Sequence, residues 1–422
     1  STLVLGWISV LLVFSLLRTS HNQARPAFWG ALTLAFCPIF FLLSPTFMTD
    51  IPFLTCCLAS LWAFDRFLRS GTSGFRFAAY LFALAAYLTR LPGIFIIPAF
   101  EGAAWLAAQD KRRQGPWLAG GLAFSILFFL LIESWIKPAV GLRSATATGA
   151  SILSDRHLQA PLDHLRMFGR NLFRSVLMTG FLLLPLFPQL WRQTRTGLLS
   201  ARWIAPLLLG VAGGTLLLWR LDWVFPFVGE GGVYFNFGLG PLLLRDVYIF
   251  GLKAPLVLPT WTMLVLGYWA MLSGALVLLL LAYWLKTRKS DTFFLFLFFF
   301  NTAYLFFLAS YSYFDRYLLL PFASMLILLL RVPRQVFPTR ANIILIVLGA
   351  WFSIVGTHDY LAWNRTVDHL TRRLEERGIP PAAIDGGMAY NGLKNEGTEN
   401  PASSYWLTFR PLEGYEVIMR QD

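Results

Sequence analysis

The chain has 422 residues, 57% of them hydrophobic and 16% aromatic, with only 14% charged; an ordinary soluble domain carries about 25% charged residues. That balance excludes a water-soluble globular fold, and runs such as 263–285 and 293–308 lack the alternation a membrane β-barrel needs. The net charge of +13 would suggest nucleic acid in a soluble protein, but the basic residues sit between apolar runs, so they are read as a topology signal and nucleic-acid binding is set aside.

Backbone groups in hydrocarbon must find partners within their own segment, so long apolar runs become helices. In chain order the predicted spans lie near 2–17, 27–44, 51–68, 75–91, 94–108, 117–136, 172–190, 203–219, 260–285, 292–310, 317–330 and 342–356. Those at 94–108 and 317–330 are short, which points to tilt, extension at the ends or a partly re-entrant path. The fold class is thus an all-α polytopic membrane protein of about twelve transmembrane helices. Its membrane domain covers 1–356, with long outer loops at 137–171 and 220–259, and a small extracytoplasmic C-terminal domain covers 357–422. That tail combines a helical stretch, Leu361–Arg377, with turns rich in Gly, Pro and Asn.

The connecting loops alternate in charge. One set holds Arg18 and Arg25, then Arg66 and Arg69, then Lys111 to Arg113, and so on to Arg331 and Arg340. The short loops of the other set hold only Asp50, Arg90 and the Asp315–Arg316 pair. By the positive-inside bias the basic set faces the cytoplasm, in a cell (inner) membrane, and the chemistry falls on the extracytoplasmic face. Ser1 then lies outside, which predicts one further span ahead of it and about thirteen in all. Cys37, Cys56 and Cys57 fall inside apolar runs and read as small buried hydrophobes.

Four outer features could carry chemistry. Asp50 opens a span after Pro45-Thr-Phe-Met-Thr49, where a carboxylate can act as general base or help hold a metal or a sugar hydroxyl; the alternative is a helix N-cap by Thr49 or Asp50. Arg90 is the one strong charge in the hairpin Tyr87-Leu-Thr-Arg-Leu-Pro-Gly93, and a guanidinium suits a lipid-linked phosphate; the alternative is snorkelling to headgroups. In Asp315-Arg-Tyr317 the arginine could bind phosphate while the rings stack on sugar, or the pair could be a local ion pair in an aromatic belt. Arg166, Arg170 and Arg174 form a basic stripe on a predicted interfacial helix.

Taken together these features resemble the C-type, polytopic membrane glycosyltransferases, and among them the protein-mannosyltransferase and aminoarabinose-transferase-like group. The matching pieces are Pro45-Thr-Phe-Met-Thr-Asp50, Ala85-Ala-Tyr-Leu-Thr-Arg-Leu-Pro-Gly93, Asp315-Arg-Tyr-Leu-Leu-Leu-Pro321 and Ile384-Asp-Gly-Gly387. The resemblance implies a polyprenyl-phosphate-linked sugar donor, an extracytoplasmic hydroxyl acceptor on a glycan, lipid or protein, and inverting transfer assisted by a carboxylate base. It assigns Asp50 to the catalytic group and Arg90, Asp315, Arg316 and Tyr317 to donor phosphate and sugar binding. It also implies a principal catalytic acid in the first outer loop, upstream of Ser1.

A multi-span lipid or solute transporter or flippase is the competing class. It needs ionisable residues near mid-span, and the candidates Glu101 and Glu133 each lie toward a helix end. No Walker loop, dinucleotide fingerprint, cofactor motif or metal-ligand spacing is visible, so a divalent metal is left open only through an interfacial carboxylate.

Overall fold

The computed structural model describes residues 1–21, 24–46, 48–140, 161–197, 201–220, 233–234, 260–288, 291–310, 314–331, 337–386, 390, 394 and 404–407. Within them the chain is almost wholly helical, as its apolar runs require. In order come α1 (Thr2–His21), α2 (Ala24–Ala35), α3 (Pro38–Leu43), α4 (Asp50–Ser70), α5 (Ser73–Thr89), α6 (Ile96–Ala107) and α7 (Lys111–Leu131). After these follow α8 (Pro161–Leu182), α9 (Phe187–Gly197), α10 (Ala201–Arg220), α11 (Thr260–Thr287), α12 (Thr292–Ser310), α13 (Leu319–Leu330) and α14 (Arg340–Glu376). One parallel strand pair, β1 (Ile384–Asp385) and β2 (Tyr405–Trp406), aligns Ile384 with Tyr405 and Asp385 with Trp406.

Seven helices among the described residues are long and apolar enough to cross a membrane, or up to eight if the pair Leu162–Leu182 and Leu184–Thr196, bent by 55°, is one span. The bend falls where Pro185 and Pro188 interrupt the backbone ladder. Other expected spans take a different form. The run 27–44 is split between α2 and α3 because Pro38 cannot extend the preceding helix, and the runs at 94–108 and 317–330 each open with a 3-10 turn, Leu91–Phe95 and Asp315–Leu318. The helix bearing Arg166, Arg170 and Arg174 is no separate interfacial element: it is the first half of α8 and runs unbroken into the apolar half. Likewise α14 continues through residue 357, so the predicted tail helix is its extension.

Lipid tails are as apolar as leucine, so the bundle is held by close packing and by polar contacts between helices. Phe64 stacks on Phe100 with ring centroids 3.7 Å apart, and Phe296 meets both edge-on. A Cβ on Gly180 of α8 would lie 2.4 Å from the Gly274 nitrogen of α11, so only glycine permits that crossing. Ser9 and Thr55 hydrogen-bond at 2.8 Å between α1 and α4. Ser324 donates to Asn301 at 2.8 Å between α13 and α12, and every residue of α13 is buried.

Candidate functional site

Asp50, Arg90, Arg316 and Tyr317 converge at one end of the bundle. Asp50 is the first residue of α4 and is buried. Its Oδ2 accepts from Nη2 of Arg90 at 2.7 Å, and Nε of Arg90 donates to the Thr49 hydroxyl at 3.0 Å. Thr49 occupies the N-cap position of α4 without a side-chain cap, because its oxygen faces Arg90. Asp50 therefore acts as an ion-pair partner inside the first turn, where the helix dipole also favours its charge.

Arg90 is held by the turn that follows it. It ends α5 in an extended conformation, and the 3-10 turn Leu91–Phe95 then folds back on α5. A Cβ on Gly93 would lie 2.3 Å from the Tyr87 nitrogen and 2.5 Å from the Ala86 carbonyl carbon, so the turn closes only with glycine there.

The third component comes from the turn before α13. Tyr317 presents its ring to two guanidiniums, Arg90 at 5.0 Å and Arg316 at 5.5 Å from the centroid, both within cation–π range. The Tyr317 carbonyl accepts from the Tyr304 hydroxyl at 2.7 Å, and Tyr304 in turn stacks on Phe53 of α4. Arg316 also lies over Phe314 at 5.1 Å and reaches the Met48 sulfur at 3.7 Å. Its Nε is buried with no hydrogen-bond partner among the described residues.

Asp315 turns the other way. It is fully buried, and its two oxygens accept from the backbone N–H groups of Val233 and Tyr234, each at 2.9 Å. Burial pushes its carboxyl above the usual range, against the lowering effect of those donors. Although adjacent in sequence, Asp315 and Arg316 form no ion pair with one another among the described residues, so the expected local pair is replaced by an inward acid and an outward base. Tyr311 and Tyr313, which precede this motif in the sequence, lie outside the described residues.

Behind Arg90 lies a group that sequence reading did not assemble. Tyr87, one turn earlier on α5, donates to Glu133 at 3.0 Å, and Lys137 donates to the same oxygen at 2.6 Å. Glu133 sits in a π-helical turn, Ile132–Ile136, that continues α7; only its spacing of four from Lys137 signalled the pairing. Glu101 is likewise committed: Arg76 forks onto both its oxygens and the Tyr80 hydroxyl donates at 2.6 Å. Among the described residues no three His, Cys, Asp or Glu side chains converge as a metal site.

Residues 1–135 match the family described as dolichyl-phosphate-mannose-protein mannosyltransferase. The similarity covers the first 135 of the chain's 422 residues. The match takes in Thr49, Asp50 and Arg90 and ends before Arg316. Together with the apolar helices, this similarity supports a multi-pass membrane protein whose N-terminal third resembles that glycosyltransferase family. No curated protein and no solved structure matches the chain.

Proposed function

We propose that the chain moves a sugar from a polyprenyl-phosphate-linked donor to a hydroxyl on a glycan, lipid or protein at the extracytoplasmic face of a cell membrane. The observation behind this is the grouping of two guanidiniums, Arg90 and Arg316, around one tyrosine ring with a single carboxylate, Asp50, as counter-charge. That leaves an excess of positive charge and an unused N–H donor on Arg316 beside the half-buried rings of Tyr317 and Phe314. Such a site suits a phosphate that must leave with an added electron pair.

In this reading the donor phosphate draws on the N–H groups of Arg90 and Arg316 while Tyr317 stands against the sugar. Phosphate binding competes with Asp50 for Arg90 and releases the carboxylate toward the acceptor. The acceptor oxygen attacks the anomeric carbon as its proton passes to Asp50. The bond between that carbon and the phosphate oxygen breaks, and polyprenyl phosphate departs with the electron pair. Inversion at the anomeric carbon follows from the single displacement. Asp315 contributes indirectly, by pinning Val233 and Tyr234 of the outer loop beside the turn that bears Arg316.

The same reading sets the topology. The long helices, with the bent pair as one span, and the shorter elements at 27–44, 75–91, 94–108 and 317–330 together give about twelve crossings. Transport gains no support, because Glu101 and Glu133 are both tied up in ion pairs.

The test is transfer from polyprenyl-phosphate mannose by membranes containing the full-length protein, followed as release of polyprenyl phosphate. Asp50→Asn and Arg90→Ala are each expected to lower the rate by about a hundredfold or more. Wild-type rates in both variants would sink the assignment of the site.

A further inference from the structure

We propose that Asp65 and Arg331, at the opposite end of the bundle from the site, are a positioning pair that fixes where Arg316 and Tyr317 stand. This rests on the donor-site reading above, and it extends the machinery to two residues that touch no substrate.

Asp65 is buried in α4 and accepts from Nη2 of Arg331 at 2.7 Å and from Nε of Arg69 at 3.0 Å. Arg331 caps α13, and its guanidinium lies 3.7 Å over the Phe293 ring of α12. It is therefore gripped on both sides. The two helices run parallel and in register. Asp50 and Asp65 are fifteen residues apart on α4, and Arg316, in the 3-10 turn that opens α13, and Arg331, its C-cap, are also fifteen apart. At 1.5 Å per residue this is about 22 Å, so the pair at the far end holds the element that presents Arg316 level with Asp50.

Between those ends α13 has few polar anchors. Its twelve residues are Leu, Pro, Phe, Ala, Met, Ile and one serine, all buried, so beyond close packing its depth rests on those few polar bonds. Within the helix Ser324 bonds Asn301 of α12 and the Leu329 carbonyl accepts a long 3.4 Å bond from Gln193 of α9, whereas Arg331 ties α13 to α4 itself. Loss of the Asp65–Arg331 bond frees axial movement, and that movement is read at the other end, in the spacing of Arg316 from Arg90 across Tyr317.

The experiment uses full-length protein in lipid nanodiscs, comparing Asp65→Asn, Arg331→Ala and their combination. Arg69→Ala serves as control, since it keeps the bond between Asp65 and Arg331. Amide hydrogen exchange over 315–318 is expected to quicken about tenfold or more in both single variants, with no further gain in the double. Affinity for polyprenyl phosphate is expected to fall about fivefold to tenfold in the same variants, while Arg69→Ala stays near wild type on both measures. Should Asp65→Asn not fold, Arg331→Lys replaces it, with an intermediate rate expected because charge is kept and the fork geometry lost. Faster exchange confined to 327–331, with 315–318 at the wild-type rate, overturns the proposal, as does an equal effect of Arg69→Ala. If wild-type protein does not bind polyprenyl phosphate, the donor reading fails on its own and the exchange data still decide the coupling.

Discussion

Arg90 and Asp50 meet at 2.7 Å across forty positions of sequence, and the same guanidinium bonds Thr49, so one side chain ties the end of α5 to the start of α4. Breaking this pair from the acid side leaves a half-buried cation with a single neutral partner. Asp50→Asn is therefore expected to cost about 1–3 kcal/mol of stability besides its effect on transfer. Thermal unfolding in detergent measures the first and polyprenyl phosphate release the second; a fully active variant with lowered stability would reduce Asp50 to a tether.

Arg316 presents the reverse case. Its contacts are ring faces and a sulfur, and one of its nitrogens is buried without a partner. Arg316→Ala should change stability by less than about 1 kcal/mol, since removing an unsatisfied buried donor offsets lost packing. Donor KM should rise about tenfold or more. A variant that unfolds while retaining normal KM would place Arg316 in the scaffold.

Gly93 tests how Arg90 is placed. The added methyl of Gly93→Ala meets backbone atoms, which cannot rotate away, so a loss of about 3 kcal/mol or more and a collapse of transfer are expected. Gly102 lies inside α6 with open space where its Cβ would be, so Gly102→Ala should leave stability unchanged or raise it by up to about 1 kcal/mol. Equal behaviour of the two variants in a thermal melt would contradict the close approach.

For Asp315 the sign runs opposite to that of a paired surface acid. Burial raises its folded-state pKa, so ionisation costs more in the folded chain than in the unfolded one. Its favourable contribution is then full below the unfolded carboxylate value of about 4 and is lost as pH rises through the raised folded value. Melting temperature followed from pH 4 upward should show this decline in the wild type (from about 4) and a flatter profile in Asp315→Asn. Matching slopes would mean that the donors of Val233 and Tyr234 fully cancel the burial effect.

Glu101 separates a structural acid from a transport acid. Glu101→Gln strands Arg76 between the Trp117 and Phe67 rings, at an expected cost of about 3 kcal/mol or more. Replacing both partners with apolar residues, Glu101→Leu with Arg76→Met, should recover most of that loss. Failure of the double variant to recover stability while transfer persists would point to another role for the pair.

Element positions were legible wherever an apolar run was bounded by charge: the expected 292–310 is α12, Thr292–Ser310, and 51–68 lies within α4. Breaks inside runs were harder to see, because Pro38 and Pro185 act through backbone hydrogen bonding while leaving hydropathy unchanged. The reverse error occurs in α8, where three arginines lower the hydropathy of a helix that never stops. At the site, Asp50, Arg90, Arg316 and Tyr317 were legible as residue types in arginine-poor turns, yet their pairing was not. Adjacency suggested Asp315 with Arg316, but the 3-10 turn sends the two in different directions. The true partner of Arg90 lies a helical hairpin away, and Asp65 with Arg331 spans 266 positions, beyond the reach of any local pattern.

The length of α14 has a consequence for the tail. Its 37 residues make a rod of about 55 Å, longer than a hydrocarbon core of about 30 Å, so it has length enough to reach well beyond the hydrocarbon. Leu374, near its end, packs with Ile384 and Tyr390, which seats the strand pair directly on the rod. The strand pair is thus carried on a mast rather than a tether. Its distance from the apolar half of α14 and the direction it faces are both set by helix length, and a single residue inserted between them would lift it by about 1.5 Å and swing it by about 100°.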